Sequence, residues 1–215
     1  MKKDKREITS SLTHLAGALF AVAGTIKLAY DALGKEGAAA FASVLIFGIS
    51  MVVLYSTSSL YHWCCAVQAR AAKFMQRLDH IAIFLLIAGT YTPICVITLG
   101  HPLGYIMLSL VWGAAAAGLL MKIFWMEAPV WLSCSIYVAM GWIAAFFAVP
   151  LVRALTPGAL VWLVAGGLLY TTGAVIFGLE RPRLSFSWFG SHELFHLFVM
   201  GGSLCHYITV SHYLA

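Results

Sequence analysis

Charge is what this sequence has least of. Asp, Glu, Lys and Arg make up 10% of its 215 residues, while 62% are apolar. Soluble domains carry about 25% charged residues, and a chain this poor in charge could not cover a water-facing surface of its own. A bilayer removes that need. Disulfides are also missing as an organising device. The cysteines are Cys64, Cys65, Cys95, Cys134 and Cys205, an odd number with several inside apolar runs, which excludes a disulfide framework. No basic helix interleaved with exposed aromatics is present, so the formal charge of +5 does not indicate nucleic-acid binding.

What the chain does have is seven apolar runs of spanning length: Leu12–Tyr30, Ala38–Tyr61, Ile81–Leu99, Leu103–Leu120, Pro129–Val149, Ala159–Leu179 and Leu194–Leu214. A spanning helix needs about 20 such residues, and backbone in lipid must satisfy its own hydrogen bonds, so each run is expected to be helical. The basic N-terminus resembles a signal peptide, but the first run is long and lacks a small-residue cleavage site, so a retained helix is expected. Gly100-His101-Pro102 allows only a tight hairpin. Pro93 should kink the third helix. Gly166, Gly167, Gly201 and Gly202 should let helices approach closely. The connection Trp63–Asp79, with Arg70, Lys73 and Arg77 amid apolar positions, suggests a short amphipathic helix on the membrane surface.

The cations orient the bundle. With the N-terminus in the cytosol, Lys2, Lys3, Lys5, Arg6, Arg70, Lys73, Arg77, Lys122, Arg181 and Arg183 are inside, against Lys35 and Arg153 outside. Lys27 lies within the first run. The positive-inside rule therefore predicts a cytosolic N-terminus and an external C-terminus for one seven-helix domain spanning 1–215, in the inner or plasma membrane with membrane lipids as its partners.

Ionisable residues inside a membrane need a reason. On this topology His62 ends the second helix, Asp79 opens the third, and His192 and His196 open the seventh. All four reach the cytosolic side. His192 and His196 are four apart and share one helix face, as do Ser58 and His62. Three imidazoles, His62, His192 and His196, suit a tetrahedral zinc site with one open position. Asp79 is then the candidate proton carrier and Ser58 the candidate orienting group. His14 could support this site. His206, ten residues beyond His196, is too deep to share its ion. His101 and His212 should lie near the outer surface. His192–His196 also matches H-E-x-x-H, the zinc-protease pattern, with Glu193 as base and Asp79 as a third ligand. Against that reading, no ligand-bearing segment follows the last helix. Imidazoles also suit copper, iron and nickel.

The residues Glu7…His14, Ser58-Ser59-Leu60-Tyr61-His62, the block Leu78–Pro93 (LDHIAIFLLIAGTYTP), Met140-Gly141-Trp142 and His192…His196…His206 resemble the bacterial hemolysin III family, related to the progestin and adipoQ receptors. The resemblance implies seven helices, a cytosolic N-terminus, and zinc held by His62, His192 and His196 beside Ser58 and Asp79. It departs at Ser10, where the family leads one to expect Asn. The wider superfamily includes adiponectin receptors and alkaline ceramidases, which implies a zinc-dependent hydrolase of a lipid amide. The alternatives are a receptor-like regulator of membrane homeostasis with structural zinc, and a pore-forming cytolysin.

Overall fold

The computed structural model describes residues 2–33, 37–184 and 186–214, without the side chains of residues 2–4. Lys35, counted above among the external cations, lies outside them. Eight α-helices follow in order: α1 (Lys2–Ala32), α2 (Ala38–Ala66), α3 (Ala72–Pro93), α4 (Leu103–Phe124), α5 (Val130–Gly141), α6 (Ala148–Ala154), α7 (Pro157–Leu179) and α8 (Ser191–Tyr213). A π-helical turn, Ile94–Leu99, extends α3, and a 3-10 segment, Trp142–Phe147, joins α5 to α6. α5 and α6 thereby form one span, and seven spans are long and apolar enough to cross a membrane. The shortest, α4, has 22 residues, about 33 Å at 1.5 Å per residue. That exceeds the roughly 30 Å hydrocarbon core. An odd number of crossings puts the termini on opposite faces.

The helices outrun the apolar stretches at one end. α2 continues four residues past His62, and α3 starts at Ala72, so Asp79 sits two turns inside it rather than at its mouth. The expected surface helix is therefore absent as a separate element: its residues extend α2 and α3 on either side of a short turn. These turns carry Arg70, Lys73 and Arg77, all exposed. Pro93 ends the regular α3 helix, as its missing N–H requires. The π turn closes with Gly100 N–H donating to the Cys95 carbonyl at 3.0 Å, and Gly100 takes φ +59° to reverse the chain into α4.

Two apolar cores share α3. One joins α1, α2, α3 and α8 around Val44, Phe47, Met51 and Leu54. The other joins α3 to α4–α7 around Phe84, Met107, Val111 and Met140. Glycines allow close crossings, and two of those expected from the sequence do so. A Cβ on Gly166 would lie 2.7 Å from His206 Nε2, and one on Gly202 2.8 Å from the Tyr170 ring. Gly201 meets only Leu169 at 3.4 Å, and Gly167 faces open space, so close packing holds for two of the four expected positions. Across the break in the fifth span, the Tyr91 hydroxyl takes up loose backbone groups. It donates toward the carbonyls of Met140 (3.1 Å) and Gly141 (2.5 Å) and accepts from Ala144 N–H at 3.1 Å. In lipid such groups have no water to turn to.

Candidate metal centre

α2 and α8 both pack against α1, and side chains at their polar ends meet. His62 and His196 are buried and His192 half-buried, and their ligand atoms all lie within 4.8 Å of one another. The Nε2 atoms of His62 and His192 are 3.1 Å apart. Zn–N bonds of about 2.0–2.1 Å in a tetrahedron separate ligand nitrogens by roughly 3.3 Å, so this pair is already at ligand spacing. His196 completes the set, its ligand atom within 4.8 Å of the other two.

The surroundings suit a cation. Glu7 Oε2 lies 2.7 Å from His62 Nδ1. A carboxylate accepts, so the imidazole proton belongs on Nδ1 and the Nε2 lone pair is left facing His192. Such carboxylate–imidazole contacts orient metal-binding histidines in general. Thr13 Oγ1 stands 3.4 Å from His196 Nδ1 and similarly leaves Nε2 inward. His14 stacks on His196 with centroids 3.6 Å apart and rings within 8° of parallel. Both His14 ring nitrogens are buried without a hydrogen bond among the described residues. Ser58, buried one turn before His62, lines the same cavity as Asp79. The three imidazoles, Asp79 and Ser58 all border one cavity of about 780 Å³. Three imidazoles with two carboxylates nearby, an open side and a fixed tautomer at His62 fit a divalent ion.

Glu193 is not available as the base of a zinc protease. Its Oε2 accepts the Gly190 N–H at 2.6 Å, capping α8, and its Oε1 accepts the Ser10 hydroxyl at 2.8 Å. Both carboxylate oxygens are thus occupied away from the cluster, in a residue 2% exposed. Ser10, which departs from the expected Asn, performs this docking of α1 onto α8. Ser11 and Ser59 bond reciprocally, Ser11 Oγ to the Ser59 carbonyl (3.0 Å) and Ser59 Oγ to the Ser11 carbonyl (2.9 Å). Arg6 donates to the carbonyls of Leu184 (3.3 Å) and Phe186 (2.8 Å), tying α1 to the α7–α8 connection. The remaining histidines stay apart. His80 takes a hydrogen bond on its carbonyl from Tyr137 (3.3 Å), His206 stacks on Tyr170, His101 lies against Tyr105, and His212 is near the opposite end of α8. Sequence reasoning missed Thr13 and the docking roles of Arg6 and Ser10. The one available signal was the spacing of Arg6, Ser10, Thr13 and His14, which lines one face of a helix.

A family profile described as Haemolysin-III related matches residues 3–207. The chain belongs to this family. Among similar proteins, Hemolysin-3 of Bacillus cereus is 38% identical over 209 residues, covering 97% of this chain and 92% of that protein. The human monocyte to macrophage differentiation factor is 26% identical over 172 residues, 79% of this chain and 69% of its own length. The ADIPOR-like receptor IZH2 of Saccharomyces cerevisiae matches at 42% identity over 52 residues, 22% of this chain and 16% of that one. This hemolysin-III-related protein is therefore a multi-pass membrane protein, of the plasma membrane in a bacterium, with a distant likeness to adiponectin-receptor-like proteins.

Proposed function

We propose that this protein is a zinc-dependent hydrolase of an amide-linked membrane lipid, working at the cytosolic face with its N-terminus in the cytosol and its C-terminus outside. The observation that carries the reading is the meeting of three imidazoles, a carboxylate and a serine on the wall of a largely apolar cavity inside a membrane bundle. The excess of cations in the connections on the same side as the histidines supports the orientation. His62, His192 and His196 would hold the ion. Zinc bound there would polarise a carbonyl and lower the pKa of water. Asp79 would take the proton from the attacking water and deliver it to the departing amine nitrogen. Ser58 would hold the Asp79 carboxylate in position, and Glu7 would hold the His62 ring. The apolar wall would align an acyl chain and keep bulk water from the scissile bond.

A receptor-like regulator with structural zinc is the second reading. It is favoured by the way the cluster joins α2 to α8 beneath α1, where an ion would staple the bundle. A pore has less support, because the cavity wall beyond the cluster is apolar in most of its lining.

The test begins with elemental analysis of purified protein beside His192→Ala/His196→Ala. About one zinc per chain, lost in the variant, is the expected result. Wild type that carries no metal ends the hydrolase reading. Asp79→Asn then separates the first two readings. It should retain zinc while losing release of fatty acid from lipid amides, followed by mass spectrometry. Unchanged stability of the bundle after chelation argues against the staple.

A further inference from the structure

Lys122 does not behave like the other cations at its end of the bundle. Arg70, Lys73 and Arg77 are exposed, their charged heads in water as long basic side chains at an interface usually are. Lys122, in the last turn of α4, is 1% exposed and turns inward. Its Nζ donates to Ser133 Oγ of α5 at 2.7 Å, and among the described residues no carboxylate lies within ion-pair distance. Lys122 and Ser133 both line the apolar cavity. One turn along α5, Tyr137 donates to the His80 carbonyl at 3.3 Å, so α3, α4 and α5 converge around the pair. His80 Nδ1 is itself buried with no hydrogen bond among the described residues, and His80 lines the same cavity.

An ammonium has three N–H donors, and here one hydroxyl accepts. Burying a charge without a counter-charge is strongly unfavourable. The carbonyl end of α4 offsets only a small part of that cost. An anion brought into the cavity beside Lys122 would be held by it. A lysine whose sole task was to anchor the helix end would point to the headgroups instead.

We propose that Lys122 and Ser133, with His80 beside them, form a second ligand subsite, separate from the three imidazoles, that receives the anionic headgroup of a single-chain lipid whose chain lies in the apolar cavity. Phosphate monoester and carboxylate both suit a point-charge ammonium next to a hydroxyl. The inference takes from the proposed function only that the cavity holds lipid. It needs neither zinc nor hydrolysis.

The test measures binding, not turnover, by native mass spectrometry of the full-length protein in detergent, with three probes sharing one chain: palmitoyl lysophosphatidic acid, palmitate and monopalmitoylglycerol. At least one anionic probe should bind wild type about 10-fold more tightly than the neutral one, as for one charge-assisted hydrogen bond. Whichever it is identifies the headgroup. Lys122→Met should erase that preference and leave monopalmitoylglycerol unchanged. Ser133→Ala, which keeps the charge, should reduce it by about 3-fold, as for one neutral hydrogen bond. Equal affinity of wild type for all three probes overturns the proposal without any variant, as does an equal loss of charged and neutral probes in Lys122→Met. The same measurement after chelation distinguishes the two readings. A preference that survives metal removal belongs to Lys122 even if zinc and hydrolysis both prove absent, whereas one that vanishes belongs to the imidazole site and overturns the subsite.

Discussion

The two sides of the bundle are built differently. α2, α3 and α8 bury about half of their apolar windows (50%, 61% and 44%), whereas the span of α5 and α6 and that of α7 bury 11% each. On the first side α1, α2 and α8 are cross-linked by side-chain hydrogen bonds: Glu7 to His62, Ser10 to Glu193, Ser11 to Ser59, and Tyr55 to Ser203 at 2.6 Å. On the second, α5 is interrupted, α7 packs mainly on α8, and the space between becomes the cavity. Polar groups are costly in a membrane, and here they are spent on holding a small cluster of imidazoles rigid. The wall that would meet a ligand is left largely apolar.

The contrast can be broken from either side. Gly202→Leu drives a side chain of α8 into the Tyr170 ring of α7 where the two sides meet, and should cost about 3 kcal/mol of stability, read as a lower thermal unfolding midpoint in detergent. Glu7→Gln keeps the shape but loses the charge on the His62 tautomer, and should weaken zinc binding about 10–100-fold in competition with a chromogenic chelator. Ser10→Ala removes one donor from the Glu193 carboxylate and should cost about 1.5 kcal/mol, with faster amide hydrogen exchange in the first turns of α1. The smallest change is expected at Gly167→Leu, since its Cβ would meet nothing within 4 Å. That variant should unfold within about 0.5 kcal/mol of wild type, as ordinary surface changes do, while partly filling the cavity and weakening lipid binding. Equal destabilisation by Gly202→Leu and Gly167→Leu would mean that the α7–α8 seam and the cavity wall are packed alike.

The spans were legible because apolar runs and loop cations are local signals. Helix ends were not, since the turns before Asp79 mix Lys73, Gln76 and Arg77 with apolar residues and stop registering as an apolar run while remaining helical. The two-turn error at Asp79 has this origin. Depth was legible for His62, His192 and His196 because topology alone assigns residues to a face, and four-residue spacing assigns them to a side of a helix. Their partners were not, because Glu7 meets His62 across 55 positions and Ser10 meets Glu193 across 183. Only helix packing decides such pairs. Lys122 shows the opposite failure. Counted with the loop cations, it fitted the charge rule well enough to hide that it points inward.

The cluster draws on segments far apart in the chain. Glu7, Ser10, Thr13 and His14 are made before His62, and His192 and His196 long after it, 130 positions separating His62 from His192. A ribosome-bound chain inserted through α7 holds His62 with its carboxylate but neither imidazole of α8. The three-imidazole set therefore cannot form until α8 joins α1 and α2, so the helix that closes the bundle is also the one that completes the site.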